Sequence, residues 1–300
     1  ARYRRMRVFF LLALLASLVG ANGAGAQSRS VVSMTLTQGD YGGGRIYLPV
    51  RFGNVMGTMR LDTGASTTRL RLAPWNKDLP ALSKSLSAGA TGQSSLCEDV
   101  EAKNVALKAE QGSDIARGKY DVSRCASGDG DDLLGLDFFN KARFTLDFGR
   151  REMVFFGAPL GGQAKPFRLI GQEKRLVGLE LRAGNVASVG LFDTGAEVCA
   201  VDLAFVRKNR KLFAPAKGQA KASEAGGKKF SSRLYKIKTL DLGEGRVVHD
   251  VYALVYDFGA LRAILGRDTP FILGVNLISQ FTWELNLQSP DAPLWDATRR

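Results

Sequence analysis

Short stretches of alternating apolar and polar residues, separated by glycine-containing turns, run through the early part of the chain. In the first of them every second residue is apolar: Ile46, Leu48, Val50 and Phe52. This alternation predicts a β-strand with one buried face. Pro49 lacks a backbone N–H, so we expect the strand to lie at a sheet edge. Gly53 and Asn54 tolerate positive φ and predict a hairpin turn into a second strand that ends near residue 61.

The segment that follows this hairpin occurs twice in the chain. Residues 61–65 read Leu-Asp-Thr-Gly-Ala and residues 192–196 read Phe-Asp-Thr-Gly-Ala, 131 positions further on. A second phrase, two apolar residues and a glycine, occurs at 133–135 and 272–274, and each copy leads into a strand-like run. Internal repeats of this kind determine architecture. We therefore expect an all-β fold of two homologous lobes, each with one Asp at a strand end and with a cleft between them.

The repeated phrase places a carboxylate in a tight turn at the end of an apolar strand. Gly64 and Gly195 permit close backbone approaches that a Cβ would forbid. If the lobes pack about a pseudo-twofold axis, Asp62 and Asp193 meet and share one proton, because two adjacent carboxylates do not both ionise easily. Such a pair can take a proton from water and protonate a carbonyl oxygen, which is the chemistry that amide hydrolysis needs.

Together these elements resemble the aspartic proteases of the pepsin and retroviral-protease superfamily. In that family Asp-Thr-Gly supplies the catalytic Asp, and an apolar-apolar-Gly phrase packs behind it in the psi loop. The resemblance implies a reaction that needs no metal and no organic cofactor. It assigns Asp62 and Asp193 as the catalytic dyad, Thr63, Gly64, Thr194 and Gly195 as its supports, and Gly135 and Gly274 as the psi-loop glycines.

The residue after each Asp-Thr-Gly indicates a branch of the superfamily. Ala65 and Ala196 resemble the retroviral and bacterial retropepsin-like members, whereas pepsin-like members have Ser or Thr at this position. A hydroxyl there would hydrogen-bond the carboxylate and lower its pKa. We therefore expect a retropepsin-like, bacterial enzyme with a less extreme acid optimum than that of pepsin.

The residues that follow the two motifs differ between the lobes. Glu197 matches the acid that helps to hold the substrate backbone in retroviral enzymes, whereas the equivalent residue of lobe one is Ser66. Both are predicted to contact substrate. Asp137 and Asn276 follow the psi-loop glycines, and both residue types suit a helix N-cap.

Two glycine-containing stretches are candidates for hairpin flaps over an extended peptide substrate. The first is residues 87–95, with Gly92, and the second is residues 222–229, with Gly226 and Gly227 near its tip. Ordinary solvated loops are the alternative interpretation of both. Neither stretch contains the tyrosine that usually closes over substrate in this family.

The N-terminal residues predict export from the cytoplasm. Four arginines precede an apolar run, residues 8–20, and Ala24-Gly25-Ala26 offers a cleavage site before Gln27. A retained membrane anchor is the alternative, although the run is shorter than the roughly 20 residues of a membrane span. We thus divide the chain into a signal peptide (1–26), an N-terminal lobe (27–160) and a C-terminal lobe (161–300), and expect a periplasmic or secreted protein.

The three cysteines fit an exported protein. Cys97 and Cys125 lie in lobe one, and a disulfide between them would stabilise it by roughly 3–4 kcal/mol in the chain-entropy model. Cys199, just after the second motif, is predicted to be a buried free thiol.

Charge and composition exclude several other functions. The net charge is +13, of which the four arginines of the leader account for four. A single histidine, His249, argues against Ser-His-Asp and Cys-His catalysis. No motif supports nucleic-acid binding, and the basic interval 207–229 is either solvated surface or a site for a membrane surface or cell envelope. We expect a monomeric aspartic endopeptidase, broad or narrow in its substrates, with a non-catalytic peptide-binding or scaffold protein as the alternative.

Overall fold

The computed structural model describes residues 28–92, 94–126, 130–173, 175–223 and 229–300. The predicted signal peptide, residues 1–26, lies outside these ranges, as do the second flap glycines, Gly226 and Gly227. Within the described ranges, no helix has the length and apolar character that crossing a membrane would require.

The first half of the described chain forms eleven strands and two short 3-10 helices, Asp40–Gly42 and Leu136–Phe139. The strands are β1 (Ser30–Ser33), β2 (Thr35–Gln38), β3 (Gly44–Phe52), β4 (Val55–Leu61), β5 (Arg69–Arg71), β6 (Ala81–Ala88), β7 (Ser94–Leu107), β8 (Ile115–Cys125), β9 (Leu133–Leu134), β10 (Arg143–Asp147) and β11 (Glu152–Phe155).

The second half forms another eleven strands among the described residues. They are β12 (Lys165–Pro166), β13 (Arg168–Ile170), β14 (Leu176–Ala183), β15 (Val186–Phe192), β16 (Cys199–Asp202), β17 (Phe213–Ser223), β18 (Lys229–Asp241), β19 (Val247–Tyr256), β20 (Phe271–Leu273), β21 (Phe281–Asn286) and β22 (Leu294–Arg299). The helices are α1 (Leu203–Lys208), α2 (Ala260–Leu265), α3 (Val275–Ile278) and a 3-10 turn, Arg210–Leu212.

Each lobe contains an eight-stranded sheet with the same strand order. Lobe one has the order β2-β3-β4-β9-β5-β8-β7-β6, and lobe two has β13-β14-β15-β20-β16-β19-β18-β17. Every strand of lobe one therefore corresponds to the strand eleven places later. The all-β, two-lobed fold predicted from the repeat is confirmed.

A third sheet joins the lobes. Its order is β1-β11-β10-β21-β22-β12, and its central pair, β10 and β21, is antiparallel. Phe144 of β10 and Trp283 of β21 are fully buried, and the Trp283 ring lies 4.9 Å from the ring of Phe192. The hydrophobic core therefore runs continuously from one lobe into the other. The lobe boundary predicted at residue 160 falls between β11 and β12.

Strand β3 confirms the predicted buried face but not the predicted edge position. Its four alternating apolar residues are at most 9% exposed. The edge prediction from Pro49 is wrong, because β3 pairs with β4 on one side and with β2 and then β7 on the other. Pro49 lies where the partner changes from β2 to β7, so no N–H is needed there, and its carbonyl accepts from Lys108 at 3.0 Å.

Candidate active site

The two motif aspartates are held by the same local contacts. Asp62 follows β4, and its N–H donates to the last carbonyl of the parallel strand β9 at 3.0 Å; Asp193 follows β15 and donates likewise to β20 at 3.1 Å. Each carboxylate then accepts a hydrogen bond from the glycine N–H two residues on, Gly64 at 3.0 Å and Gly195 at 2.8 Å. In both lobes, therefore, the Asp that follows the strand lies in a turn held by one backbone bond to the neighbouring strand and one bond from a glycine N–H to its carboxylate.

The threonines of the motif cross between the lobes. The hydroxyl of Thr63 accepts from the N–H of Thr194, and that of Thr194 accepts from the N–H of Thr63, both at 3.0 Å. Thr63 also donates to the carbonyl of Phe192 at 2.7 Å, and Thr194 to that of Leu61 at 3.0 Å. Both threonines are fully buried. These four bonds set the spacing between the two turns.

The glycines bring the two carboxyl groups together. A Cβ on Gly64 would overlap the carboxyl of Asp193, and one on Gly195 would overlap that of Asp62. Each carboxyl group therefore lies against the glycine turn of the other lobe, and burial raises the pKa of both. The charge of Asp62 raises the pKa of Asp193 further, well above its ordinary value. The pair therefore keeps one proton at pH values where an isolated Asp has lost it.

The psi-loop glycines pack behind the dyad, against the strand that leaves each turn. A Cβ on Gly135 would overlap the backbone at Thr68, and one on Gly274 would overlap the backbone at Cys199. The Gly135 N–H donates to the Thr68 hydroxyl at 3.1 Å, and the Gly274 N–H to the Cys199 sulfur at 3.3 Å. As predicted, a short helix follows each glycine.

The interpretation of Asp137 and Asn276 as helix N-caps is wrong, because the glycines occupy those positions. Asp137 accepts from the N–H and the hydroxyl of Thr68, at 3.0 and 2.8 Å. Asn276 accepts from the N–H of Cys199 at 2.9 Å and donates to the carbonyl of Tyr252 at 2.8 Å. Both side chains thus tie the psi loop to the outgoing strand.

Arg60 stands beside the dyad on the lobe-one side only. Its side chain is 13% exposed, and Nη2 donates across the interface to the carbonyl of Gly195 at 2.6 Å. The positive charge opposes the effect of burial and lowers the pKa of Asp62. The equivalent residue of lobe two is Leu191. Sequence reasoning missed Arg60, although a charge in the apolar strand that delivers Asp62 was a usable indication.

Glu197 is bound by arginines from the other lobe. Its carboxylate lies 2.7 Å from Nε of Arg45 and 3.9 Å from Nη2 of Arg60. Asp131 approaches the same two guanidinium groups at 3.5 and 3.8 Å. Ser66 and Glu197 both line the cleft, and their surroundings differ; their contact with substrate stays a prediction. The partners of Glu197 come from strands distant in sequence, so spacing alone did not reveal them.

The cleft between the lobes has a volume of about 1670 Å³ and contains both aspartates. The predicted first flap is the β6–β7 hairpin, whose tip reaches lobe two. There the hydroxyl of Tyr256 donates to the carbonyl of Ala90 at 3.2 Å, and Gly92 packs against the backbone of Leu261. The second predicted flap belongs to the β17–β18 hairpin, which also lines the cleft with residues 219–222 and 229–230.

The three cysteines comprise one disulfide and one free thiol. Cys97 and Cys125 face each other on β7 and β8 and form a disulfide. Cys199 is free and buried, as predicted, and burial raises the pKa of its thiol to about 12. Across the described ranges, no three His, Cys, Asp or Glu side chains are close enough to hold a metal ion.

A mostly β, two-lobed chain with this topology has the fold of the pepsin-like aspartic proteases. Three solved structures with this likeness are basic 7S globulin from soybean, conglutin gamma, a basic 7S globulin from lupine seeds, and an aspartic proteinase from Irpex lacteus. Their TM-scores are 0.53, 0.55 and 0.50, and their sequence identities are 13%, 11% and 14%.

These likenesses extend over 90%, 91% and 91% of this chain and over 95%, 96% and 98% of the respective relatives. No family model and no curated protein matches the sequence. The comparisons therefore show the fold alone, which a protein named as a proteinase shares with proteins named as globulins. An activity has to be argued from the site.

Proposed function

We propose that this chain is an aspartic endopeptidase that hydrolyses peptide bonds with a water activated by Asp62 and Asp193. The observation that carries the proposal is the pair of carboxyl groups that line the cleft, each against the glycine turn of the other lobe, with burial raising the pKa of both above the ordinary value of Asp. Two groups that differ in protonation are what acid and base catalysis in one step requires.

The dyad serves as both base and acid. A water between the carboxyl groups gives a proton to the ionised one while its oxygen attacks the scissile carbonyl carbon. The protonated carboxyl gives its proton to the carbonyl oxygen, which forms a neutral tetrahedral intermediate. The dyad then gives its proton to the amide nitrogen, one hydroxyl of the intermediate returns its proton to the other carboxylate, and the C–N bond breaks to release a carboxylic acid and an amine. Because the two carboxyl groups titrate as a pair, either can end the cycle with the proton.

Further features support the retropepsin-like branch and an exported setting. Ala65 and Ala196 leave the carboxylates without a hydroxyl donor, which favours an optimum less acid than that of pepsin. A hairpin from each lobe borders the cleft, as in the two-flap retroviral enzymes.

The disulfide favours an oxidising compartment, either the periplasm or the exterior. One chain supplies both half-sites, which favours a monomer.

The exposed basic residues after β16 support association with a membrane surface or cell envelope. Arg207, Lys208, Arg210 and Lys211 are adjacent and face solvent. Such a cluster attracts anionic headgroups or polymers by long-range electrostatics. This association is secondary to the peptide or protein substrate, which is the principal partner we propose.

The alternative is a non-catalytic peptide-binding or scaffold protein with the same fold. The observation in its favour is that proteins named as globulins match the fold with TM-scores of 0.53 and 0.55. Such a protein would keep the cleft and bind extended peptides without hydrolysing them.

The test is digestion of a mixed peptide library by the mature chain, residues 27–300, from about pH 3 to pH 7. We expect cleavage at mildly acid pH and a loss of roughly a thousandfold or more in Asp62→Asn and in Asp193→Asn, because each removes one half of the dyad. Cleavage that survives both substitutions would refute the proposal. Binding of peptides without cleavage would favour the non-catalytic alternative.

A further inference from the structure

The two walls of the cleft differ in chemistry although their backbones correspond. The lobe-two wall has an apolar surface formed by Leu176, Leu191, Ala200, Leu254, Leu261 and Ile272. The charged side chains of lobe two that also line the cleft are the exposed ion pair Arg175–Glu173, Glu197, and Lys221 and Lys229 of the β17–β18 hairpin. The lobe-one wall is mostly polar and includes Arg69, Ser85, Asp99, Arg117, Asp121 and Ser123.

Strand register shows that these are equivalent positions. In lobe one Arg69 of β5 lies beside Ser123 of β8, and in lobe two Ala200 of β16 lies beside Leu254 of β19. An arginine and a serine therefore stand where the other lobe has an alanine and a leucine. At equivalent positions on the two sides of the dyad, a substrate therefore meets a polar surface on lobe one and an apolar surface on lobe two.

Arg69 is a half-buried cation without an anionic partner among the described residues. Its Nε donates to the sulfur of Cys125 at 3.0 Å, and burial lowers its pKa. The acid on the neighbouring hairpin, Asp99, is instead engaged by the hydroxyls of Ser83 and Ser123 at 2.6 and 3.3 Å. A charge partly removed from water without compensation costs free energy, and an anionic ligand would recover part of it.

Arg117 adds a second positive charge to the same wall. Its guanidinium lies 5.6 Å from the ring centre of Tyr120. Its Nε is buried without a hydrogen-bond partner in the part of the chain that the structure describes. Planar guanidinium groups with free N–H donors match the geometry of a carboxylate. The same wall also carries Asp99, Asp121 and Asp137, so what it offers an anion is these two guanidinium groups and not a net positive charge.

We propose that the lobe-one wall binds an acidic side chain of the substrate through Arg69, while the lobe-two wall binds an apolar one. This inference rests on the proposed peptide substrate. Successive side chains of an extended peptide point in opposite directions, so the residues on either side of the scissile bond face different lobes. The preferred cleavage site is therefore a junction between an acidic and an apolar residue.

The experiment compares blocked peptides that differ only at this junction: Glu-Leu, Leu-Glu, Gln-Leu and Leu-Gln. Binding is measured to the Asp193→Asn protein near pH 6, and hydrolysis is measured with the unaltered protein. We expect one Glu peptide to bind about tenfold more tightly than its Gln counterpart, the effect of one charge-assisted pair in a partly dry site.

Two matched variants assign the preference to a residue. Arg69→Gln should abolish the Glu-over-Gln preference, and Arg69→Glu should favour the corresponding Lys peptide. Arg71→Gln is the control, because Arg71 lies on the same strand, is half exposed and pairs with Asp132 outside the cleft. It should leave the preference unchanged. If an Arg69 variant does not fold, equal binding of the Glu and Gln peptides to the protein with unaltered Arg69 still overturns the inference.

The outcomes separate this inference from the proposed reaction. Equal binding of Glu and Gln peptides, no binding of either, or a preference that persists in Arg69→Gln would overturn the inference. Hydrolysis of the Glu and Gln peptides at equal rates would also overturn the inference, but it would leave the endopeptidase proposal intact. A Glu preference in binding without hydrolysis by the unaltered protein would support the inference and refute the proposed catalysis.

Discussion

The two Asp-Thr-Gly turns share their internal contacts but differ in their surroundings. Both carboxylates accept from the glycine two residues on, and both threonines donate across the interface. Beside Asp62, however, stands Arg60, where lobe two has the buried Leu191. The comparison teaches that the duplicated chain retains contacts in which each lobe completes the other. The charged residues around the turns, Arg60 and Glu197, have no charged counterpart in the other lobe and make contacts across the interface that only one lobe supplies.

Removing one crossing hydroxyl should have the largest effect on stability. Thr63→Val leaves the N–H of Thr194 and the carbonyl of Phe192 without their partner in a fully buried site, so we expect a loss of about 3 kcal/mol in the free energy of unfolding. Thr194→Val should cost about as much, because it leaves the N–H of Thr63 and the carbonyl of Leu61 without their partner. Urea denaturation measures both.

Serine substitutions provide the control for these valine variants. Thr63→Ser and Thr194→Ser keep the hydroxyl and lose one methyl group, so each should cost about 1 kcal/mol. A valine variant as stable as its serine counterpart would show that the crossed bonds do not hold the interface.

The psi loops offer a second, smaller asymmetry. In lobe two, Asn276→Asp replaces the N–H donor to the Tyr252 carbonyl with a buried carboxylate, and we expect a cost of about 2 kcal/mol at neutral pH. Burial and the facing carbonyl raise the pKa of the new Asp, so this penalty should shrink as the pH falls and the acid protonates. The reciprocal change Asp137→Asn should cost only about 1 kcal/mol, since it keeps one acceptor for Thr68.

Unfolding measured near pH 4 and near pH 7 tests this asymmetry. If the Asn276→Asp penalty is independent of pH, the carboxylate is not buried against the carbonyl as the geometry requires.

Making the two half-sites alike should have the smallest effect. Arg60→Leu copies lobe two and removes the cation that favours ionised Asp62. The ionised carboxylate of the dyad is then protonated at a higher pH than in the unaltered protein. The acid side of the plot of kcat/KM against pH should therefore shift to higher pH, and activity near pH 4 should fall about fivefold. Arg60→Lys keeps the charge and should keep the limb in place. An unshifted limb in Arg60→Leu would show that Arg60 does not bias the dyad.

The repeat made much of this architecture predictable from sequence. Matching phrases at 61–65 and 192–196 implied paired lobes, and the psi-loop phrases located the strands behind each Asp. The repeat also predicted that Asp62 and Asp193 meet, but distant contacts made by residues outside the repeated phrases were not predictable, because spacing carries no information about them. Arg45 and Glu197 are 152 residues apart and meet only when the lobes pack.

Local rules failed where the neighbouring strand decided the outcome. Asp137 fits an N-cap by residue type, but in the fold it faces Thr68, which offers two donors. Pro49 fits an edge strand, but its missing N–H falls where one partner strand gives way to another. In both cases the relevant neighbour is remote in sequence.

The crossed threonines also bear on when the protein acquires its chemistry. A chain under synthesis completes its N-terminal half first, and domains tend to fold in that order. That half carries Asp62 but neither the second carboxyl nor the Thr194 hydroxyl that the Thr63 N–H requires. On the proposed function, a nascent chain cannot cut itself or its neighbours, and hydrolysis begins only after its second half has folded onto the first.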